Sequence, residues 1–196
     1  MRKLNVKDIL VPTVVLVAVC VITTALLGFT NEVTKEPIAQ AEEQSRRESM
    51  MSVSPDGVQS YEKVEIGDDS AECYAALDEQ GKVLSYAIST SSKGYGGAIK
   101  VMTGISAQDG SVIAVSVYDN SDETPGLGAK TSEDKFTGQF SGVLEGGGFA
   151  VAKDADKYPD NKSVDAVTGA TISSRAVVSA VNQAVEIYFE VSGGAE

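Results

Sequence analysis

The sequence predicts an α+β fold, an antiparallel sheet with packed helices, preceded by one N-terminal transmembrane helix. Three features point that way: an uncharged apolar run at residues 9–29, two successive pairs of strand-like runs in the middle of the chain, and an apolar stripe at helical spacing near the C-terminus. At 196 residues the chain has room for a membrane segment and one domain with its own core, and not for a second full domain.

The run "ILVPTVVLVAVCVITTALLGF", Ile9 to Phe29, holds 21 residues without a charge. At the helical rise this spans a hydrocarbon core of about 30 Å. A cleaved signal peptide is the rival reading, with Ala39-Gln40-Ala41 as its small-residue site. The run is longer than a signal core and Ala41 lies 12 residues past Phe29, so a retained anchor is expected. Arg2, Lys3 and Lys7 precede the span, whereas the 15 residues after it carry Lys35 as their one cation. By the positive-inside rule residues 1–8 are cytoplasmic, 9–29 cross the inner membrane once, and the rest is extracytoplasmic.

Residues 30–57 read as a juxtamembrane helix or stalk, rich in helix formers, with Pro37 near a helix start and "SVSPDG" as a closing loop. Residues 58–192 form the exported domain. Within it "ECYAALDEQGKVLSYAIST" and "IKVMTGISAQDGSVIAVSVYD" each place a polar turn between apolar runs, which predicts two hairpins of an antiparallel sheet. Val177, Val181, Ala184 and Tyr188 recur at helical spacing, with Ser173 or Ser174 available as N-cap.

Composition narrows the chemistry. The chain has 16 Lys and Arg against 28 Asp and Glu, a net charge of -12, which argues against nucleic acid as a partner. Setting aside the three cations and one acid before the span leaves -14 for the exported part. Histidine is absent, which removes Ser-His-Asp and Cys-His catalysis and histidine-ligated zinc. Cys20 and Cys73 make neither a disulfide framework nor an iron-sulfur pattern. No catalytic residue and no metal site is expected.

Two glycine-rich stretches, "KGYGGAI" at 93–99 and "ETPGLGAKT" at 123–131, fail the nucleotide-loop patterns. Ala129 and Thr124 stand where a P-loop needs glycine, and Ile99 and Thr131 stand where the dinucleotide fingerprint needs its third glycine or alanine. They read either as tight turns, with Pro125-Gly126 at the centre of a type II turn, or as bare backbone that a flat ligand can approach between Tyr95 and Leu127.

"DAVTGAT" at 165–171 is open to two readings as well. It suits a capped helix start, with Gly169 at positive φ, and it suits an anion site, because a helix N-terminus offers free N–H groups.

Asp165, Thr168, Gly169, Ala170 and Thr171 fill every defined position of Asp-x-x-Ser/Thr-Gly-Ala-Thr, which resembles the flavinylation motif of the FMN-binding domain family. Together with "KGYGGAIKVMTGI", "ETPGLG" and the single span, the chain resembles the G subunits of Rnf electron-transport complexes, relatives of the C subunits of sodium-translocating NADH:quinone reductases. The resemblance implies covalent FMN, esterified through its phosphate to Thr171 by a flavin transferase that uses FAD. It implies a place near the flavin for Glu123, Thr124, Pro125, Gly126, Leu127 and Gly128. Asp165 is expected to be read by the transferase, and Gly169 to let the loop enter its active site. The family's histidine before "ETPGLG" is replaced by Ser121-Asp122, so no histidine role carries over.

The function so implied is that of a membrane-anchored electron-transfer component of an ion-translocating ferredoxin:NAD+ oxidoreductase, with other integral membrane subunits as partners. A stand-alone flavinylated carrier and a non-redox anchored binding module are the alternatives.

Overall fold

The computed structural model describes residues 6–67, 70–142 and 147–193. The chain divides into two compact units, Met1–Gln44 and Ser45–Glu196. Helix α1, Val6–Ser52, contributes to both.

In the first unit α1 is long and apolar enough to cross a membrane. The hydroxyls of its apolar run are satisfied within the helix: Thr13 Oγ1 donates to the Ile9 carbonyl at 2.8 Å and Thr23 Oγ1 to that of Val19 at 2.9 Å. Lipid offers hydroxyls no other partner, so this back-bonding suits a spanning helix. Pro37 lies inside α1 and starts no helix, contrary to the sequence expectation. An interior proline costs about 3 kcal/mol of helix stability, and Glu, Lys, Ala and Gln around it favour helix enough to carry α1 through. Arg2 and Lys3, on which the expected orientation largely rests, lie outside the described residues.

The second unit is built on five antiparallel strands in the order β1 (Ser60–Val64), β2 (Glu72–Leu77), β3 (Val83–Lys93), β4 (Ala98–Ser106) and β5 (Val112–Asp119). Both expected hairpins form, as β2–β3 and β4–β5. In the first, Asp78 Oδ1 accepts the Gln80 and Lys82 amides at 2.8 and 2.9 Å. The glycine stretch 94–97 joins the hairpins into one meander, with the Gly94 amide donating to the Gly97 carbonyl at 2.7 Å. The edge strand β1 carries exposed Glu62 and Lys63, charges that discourage pairing with another chain. The same charges hide it from a search for apolar alternation.

The two faces of the sheet are covered differently. Helix α3, Thr171–Gly193, packs on β3 and β4 with Val177, Val181, Ala184 and Tyr188, the expected stripe, all buried against Ile88, Val101 and Ile105. Thr90 Oγ1 donates to the Ala180 carbonyl at 2.8 Å, tying helix to sheet inside this layer. Cys73 is buried on the same side, and burial pushes its thiol up to about 11, so it is unreactive.

On the opposite face Ala87, Gly104 and Ala114 stand side by side across β3, β4 and β5. This row of small residues receives fully buried Val53, just past the end of α1: a Cβ on Gly104 would lie 1.9 Å from the Val53 carbonyl oxygen. Arg46 near that helix end reaches Glu72 and Tyr74 on β2, and Lys63 on β1 donates to Glu72 at 3.0 Å.

The sequence reading misses a two-stranded parallel sheet, β6 (Phe149–Val151) with β7 (Lys162–Val164), and the short helix α2 (Asp134–Thr137). Three residues are too few for a periodic signal. What holds this region is aromatic: Phe140 meets Phe136 and Phe149 edge-to-face, with ring centroids 5.4 and 5.0 Å apart.

Two expected outcomes follow from this packing. Gly104→Ala forces overpacking under Val53, and chemical denaturation is expected to find the domain destabilised by about 1–3 kcal/mol. Glu72 is pushed up by burial, but hydrogen bonds from Lys63 and Tyr74 and the charge of Arg46 outweigh this and hold it below its ordinary value of 4.5. A depressed carboxylate stabilises the fold above its unfolded value, and that contribution is lost as pH falls through the folded one. Stability measured below pH 4.5 should therefore fall less steeply in Glu72→Gln than in the wild type.

Candidate functional site

The chain leaves β7 at buried Val164 and reaches α3 through residues 165–170. Gln139 fixes the start of this loop, accepting the Asp165 amide at 2.8 Å and donating to the Asp165 carbonyl at 3.2 Å. Its end turns at Gly169, φ +80°, as expected, with the Ala170 amide donating to the Val167 carbonyl at 2.9 Å.

Helix α3 begins at Thr171, two residues before the expected cap. Ser173 and Ser174 do not cap it; both lie buried in its first turn. Ser174 Oγ accepts the Val167 amide at 3.0 Å and donates to the Ala170 carbonyl at 2.9 Å, so it fastens the loop from within the helix. With Ala170, which carries no side-chain acceptor, at the cap position, the amides of Thr171, Ile172 and Ser173 have no hydrogen-bond partner among the described residues. Thr171 is partly exposed and its hydroxyl is likewise unbonded among the described residues. In the loop before it Asp165, Thr168 and Gly169 are exposed and Ala170 is buried.

The two glycine stretches meet at this helix end through Glu123, which is buried to 4% exposure. Its Oε1 accepts the amides of Tyr95 at 2.7 Å and Gly96 at 3.0 Å, and its Oε2 accepts the Ser173 hydroxyl at 2.7 Å. A buried carboxylate is tolerated only when so paired. Side chains in place of the glycines would collide with it: a Cβ on Gly94 would lie 2.2 Å from Oε1 and one on Gly128 2.0 Å from Oε2. The glycines at 94 and 128 therefore admit Glu123, and those at 96 and 97 admit Asp122. The space that a side chain would fill at these four glycines is taken by protein.

The turn at 124–127 forms as predicted, with Gly126 at φ +77° and the Leu127 amide donating to the Thr124 carbonyl at 3.1 Å. Leu127 leans on the "DAVTGAT" loop, since a Cβ on Gly169 would meet its Cδ2 at 3.0 Å. Tyr95, Leu127 and Ile172 are exposed, at 72%, 44% and 51%. These exposed apolar groups and the open amides of α3 thus come from three segments that Glu123 and Leu127 bring together. Thr124 and Pro125 are exposed on the same turn.

Sequence reasoning misses Gln139, the true part played by Ser173, and an ion pair between Arg175 and Asp154, whose Nε–Oδ2 and Nη2–Oδ1 distances are 2.6 and 2.9 Å. One signal was available: a single glutamate among glycines, in a chain with two such stretches, suggests a buried carboxylate fed by bare amides. Arg175, Asp154, Lys157, Tyr158 and Asn182 also line a groove of about 540 Å³ between α3 and the 3-10 turn Ala152–Lys157.

Residues 94–186 match the model of the FMN-binding domain, and residues 1–53 match that of the RnfG N-terminal region. The chain is 34% identical over 175 residues to the G subunit of the proton-translocating ferredoxin:NAD(+) oxidoreductase complex of Clostridium ljungdahlii, covering 89% of each chain. It is 31% identical over 186 residues to the G subunit of the ion-translocating oxidoreductase complex of Methanosarcina acetivorans, covering 92% of this chain and 94% of the relative. Among solved structures, the C subunit of the Na(+)-translocating NADH-quinone reductase from Parabacteroides distasonis shares the fold, with a TM-score of 0.61 at 18% identity, over 79% of this chain and 95% of that one.

The Glu123 contacts carry an expected outcome. Glu123→Ala strands two partly buried amides and a buried hydroxyl and should cost about 3 kcal/mol in urea unfolding, whereas Glu123→Gln keeps an acceptor for the amides and should cost about 1 kcal/mol.

Proposed function

The chain belongs to the family of G subunits of ion-translocating oxidoreductase complexes, and on that premise we propose that it carries electrons there through an FMN esterified to Thr171. It is an electron-transfer subunit of an Rnf-type ferredoxin:NAD+ oxidoreductase, with an FMN-binding domain, and other subunits of that complex are its partners. The observation that carries the covalent reading concerns hydroxyls. Of the four between 168 and 174, Ser173 and Ser174 are buried and bonded, while Thr171 is partly exposed at the first position of α3, unbonded among the described residues and next to three open amides.

The residues present fit the group. Open amides at a helix start favour a phosphate, and exposed Tyr95 and Leu127 offer apolar faces to a flat ring. FMN supplies the redox chemistry, at a potential tuned by surrounding dipoles. The chain's own part is to hold it. Thr171 is the ester oxygen; Gly169 and exposed Thr168 present that hydroxyl to a flavin transferase, and Asp165 is the acid the transferase reads. Glu123, beneath the glycine stretch, keeps Tyr95 in register with the start of α3 and touches protein donors only. Thr124, Gly126, Leu127 and Gly128 shape the turn that sets Leu127 against Gly169, and Ala170 is the small buried residue under the tether.

A tether suits an exported domain, which has no cytoplasmic pool from which to replace lost FMN. We place residues 58–192 outside the cytoplasm and residues 1–8 inside, with α1 as the single anchor in the cell membrane. The relay then runs between membrane partners, and this protein itself neither binds NAD nor pumps ions.

The test is in-gel flavin fluorescence of the full chain co-expressed with a flavin transferase. Wild type and Thr168→Ala should fluoresce after denaturation and Thr171→Ala should be dark. Fluorescence persisting in Thr171→Ala would overturn the assignment.

A further inference from the structure

We propose that Arg175 is a positioning residue for the phosphodiester on Thr171, binding its two free oxygens through the guanidinium edge that Asp154 leaves open. This deepens the covalent reading of Thr171 and rests on it.

The placement follows from helix geometry. Residues four apart lie on one face, about 5–6 Å between Cβ atoms, and a helical side chain leans back over the turn that precedes it. Arg175 therefore stands over the turn that begins with Thr171. A guanidinium has five N–H donors in a planar fork. Asp154 takes two, on the edge formed by Nε and Nη2. Nη1 makes no hydrogen bond or ion pair among the described residues, and half of the side chain is exposed. The remaining edge has the spacing for two oxygens of one phosphate.

Charge points the same way. The first turn of α3 holds no acidic residue, yet Arg175 follows it directly. A cation near the positive end of a helix dipole is unfavourably placed unless anions join it; Asp154 supplies one such charge and shares it with Lys157. Two carboxylates are bonded to the first turns of α3 among the described residues, and neither has an oxygen left for a further cation on the solvent side. Glu123 is buried and saturated by Tyr95, Gly96 and Ser173, and Asp154, at 13% exposure, is committed to Arg175 and Lys157. Three open amides and one guanidinium edge remain, a donor set for a singly charged phosphodiester. The alternative is that Arg175 only staples α3 to the turn Ala152–Lys157.

The experiment compares flavinylated wild type, Arg175→Gln, Arg175→Lys and Asp154→Asn as full chains, reading the phosphorus NMR resonance of the ester and the fluorescence anisotropy of the flavin. In Arg175→Gln the resonance should move to the position it takes in denatured protein, and anisotropy should fall. Arg175→Lys, which keeps the charge without the fork, should lie between. Asp154→Asn should keep the wild-type resonance, because the phosphate contact survives loss of the staple. An unmoved resonance in Arg175→Gln overturns the proposal, as does Asp154→Asn reproducing the glutamine effect. Failure of both Arg175 variants to take up flavin, with wild type loaded, also overturns it, by making Arg175 part of attachment. Wild type free of flavin defeats the Thr171 reading itself, and this inference with it.

Discussion

One buried carboxylate organises the functional end of the domain. Glu123 accepts from the Tyr95 and Gly96 amides and from the Ser173 hydroxyl, so a loop between two strands, the turn after the last strand and the first turn of α3 share one point. A charge taken out of water must be repaid by close donors, and close donors need backbone without side chains. That requirement explains the glycines at 94 and 128 better than any nucleotide motif does. It also explains why Ser173 faces inward.

An uncapped helix start is a stability cost that proteins commonly remove with Ser, Thr, Asp or Asn at the cap. Here Ala170 occupies that place, and the nearby hydroxyls are diverted to Glu123 and to the loop at 167–170. Local propensity is set aside at this helix start, and the cost is offset by burial on the sheet below. The α3 stripe from Ala176 to Tyr188 stays packed against β3 and β4, so the helix does not depend on its own first turn to hold position.

The other face of the sheet meets a different demand. The end of α1 has to lie against strands whose outer side would ordinarily be polar, and the row Ala87, Gly104, Ala114 makes the depth for Val53. Around that apolar contact stands the set Arg46, Glu72, Lys63 and Tyr74. Sheet and helix end are thereby matched in shape at the centre and in charge at the rim. This matters for a domain that works beside a membrane, because it makes Ser45–Ser52 part of the folded unit.

Much of this was legible in the residues. The uncharged run of 21, the two hairpins with their polar turns ending in Gly81 and Gly110, the α3 stripe and the positive φ of Gly126 and Gly169 all follow from local rules of hydrophobic period and turn chemistry. The motif at 165–171 singled out Thr171 by resemblance alone. Elements with too few residues for a period, β6 and β7, were not legible, nor was β1, whose charges mask its strand. By itself the sequence determined most of the elements and the turn positions, because those depend on neighbours along the chain. Only the tertiary structure decided that Ser173 serves Glu123, that Pro37 passes through a helix and that Arg175 pairs with Asp154. Each of those turns on partners separated by tens of residues, or on packing that overrides local preference, and neither leaves a periodic trace in the chain.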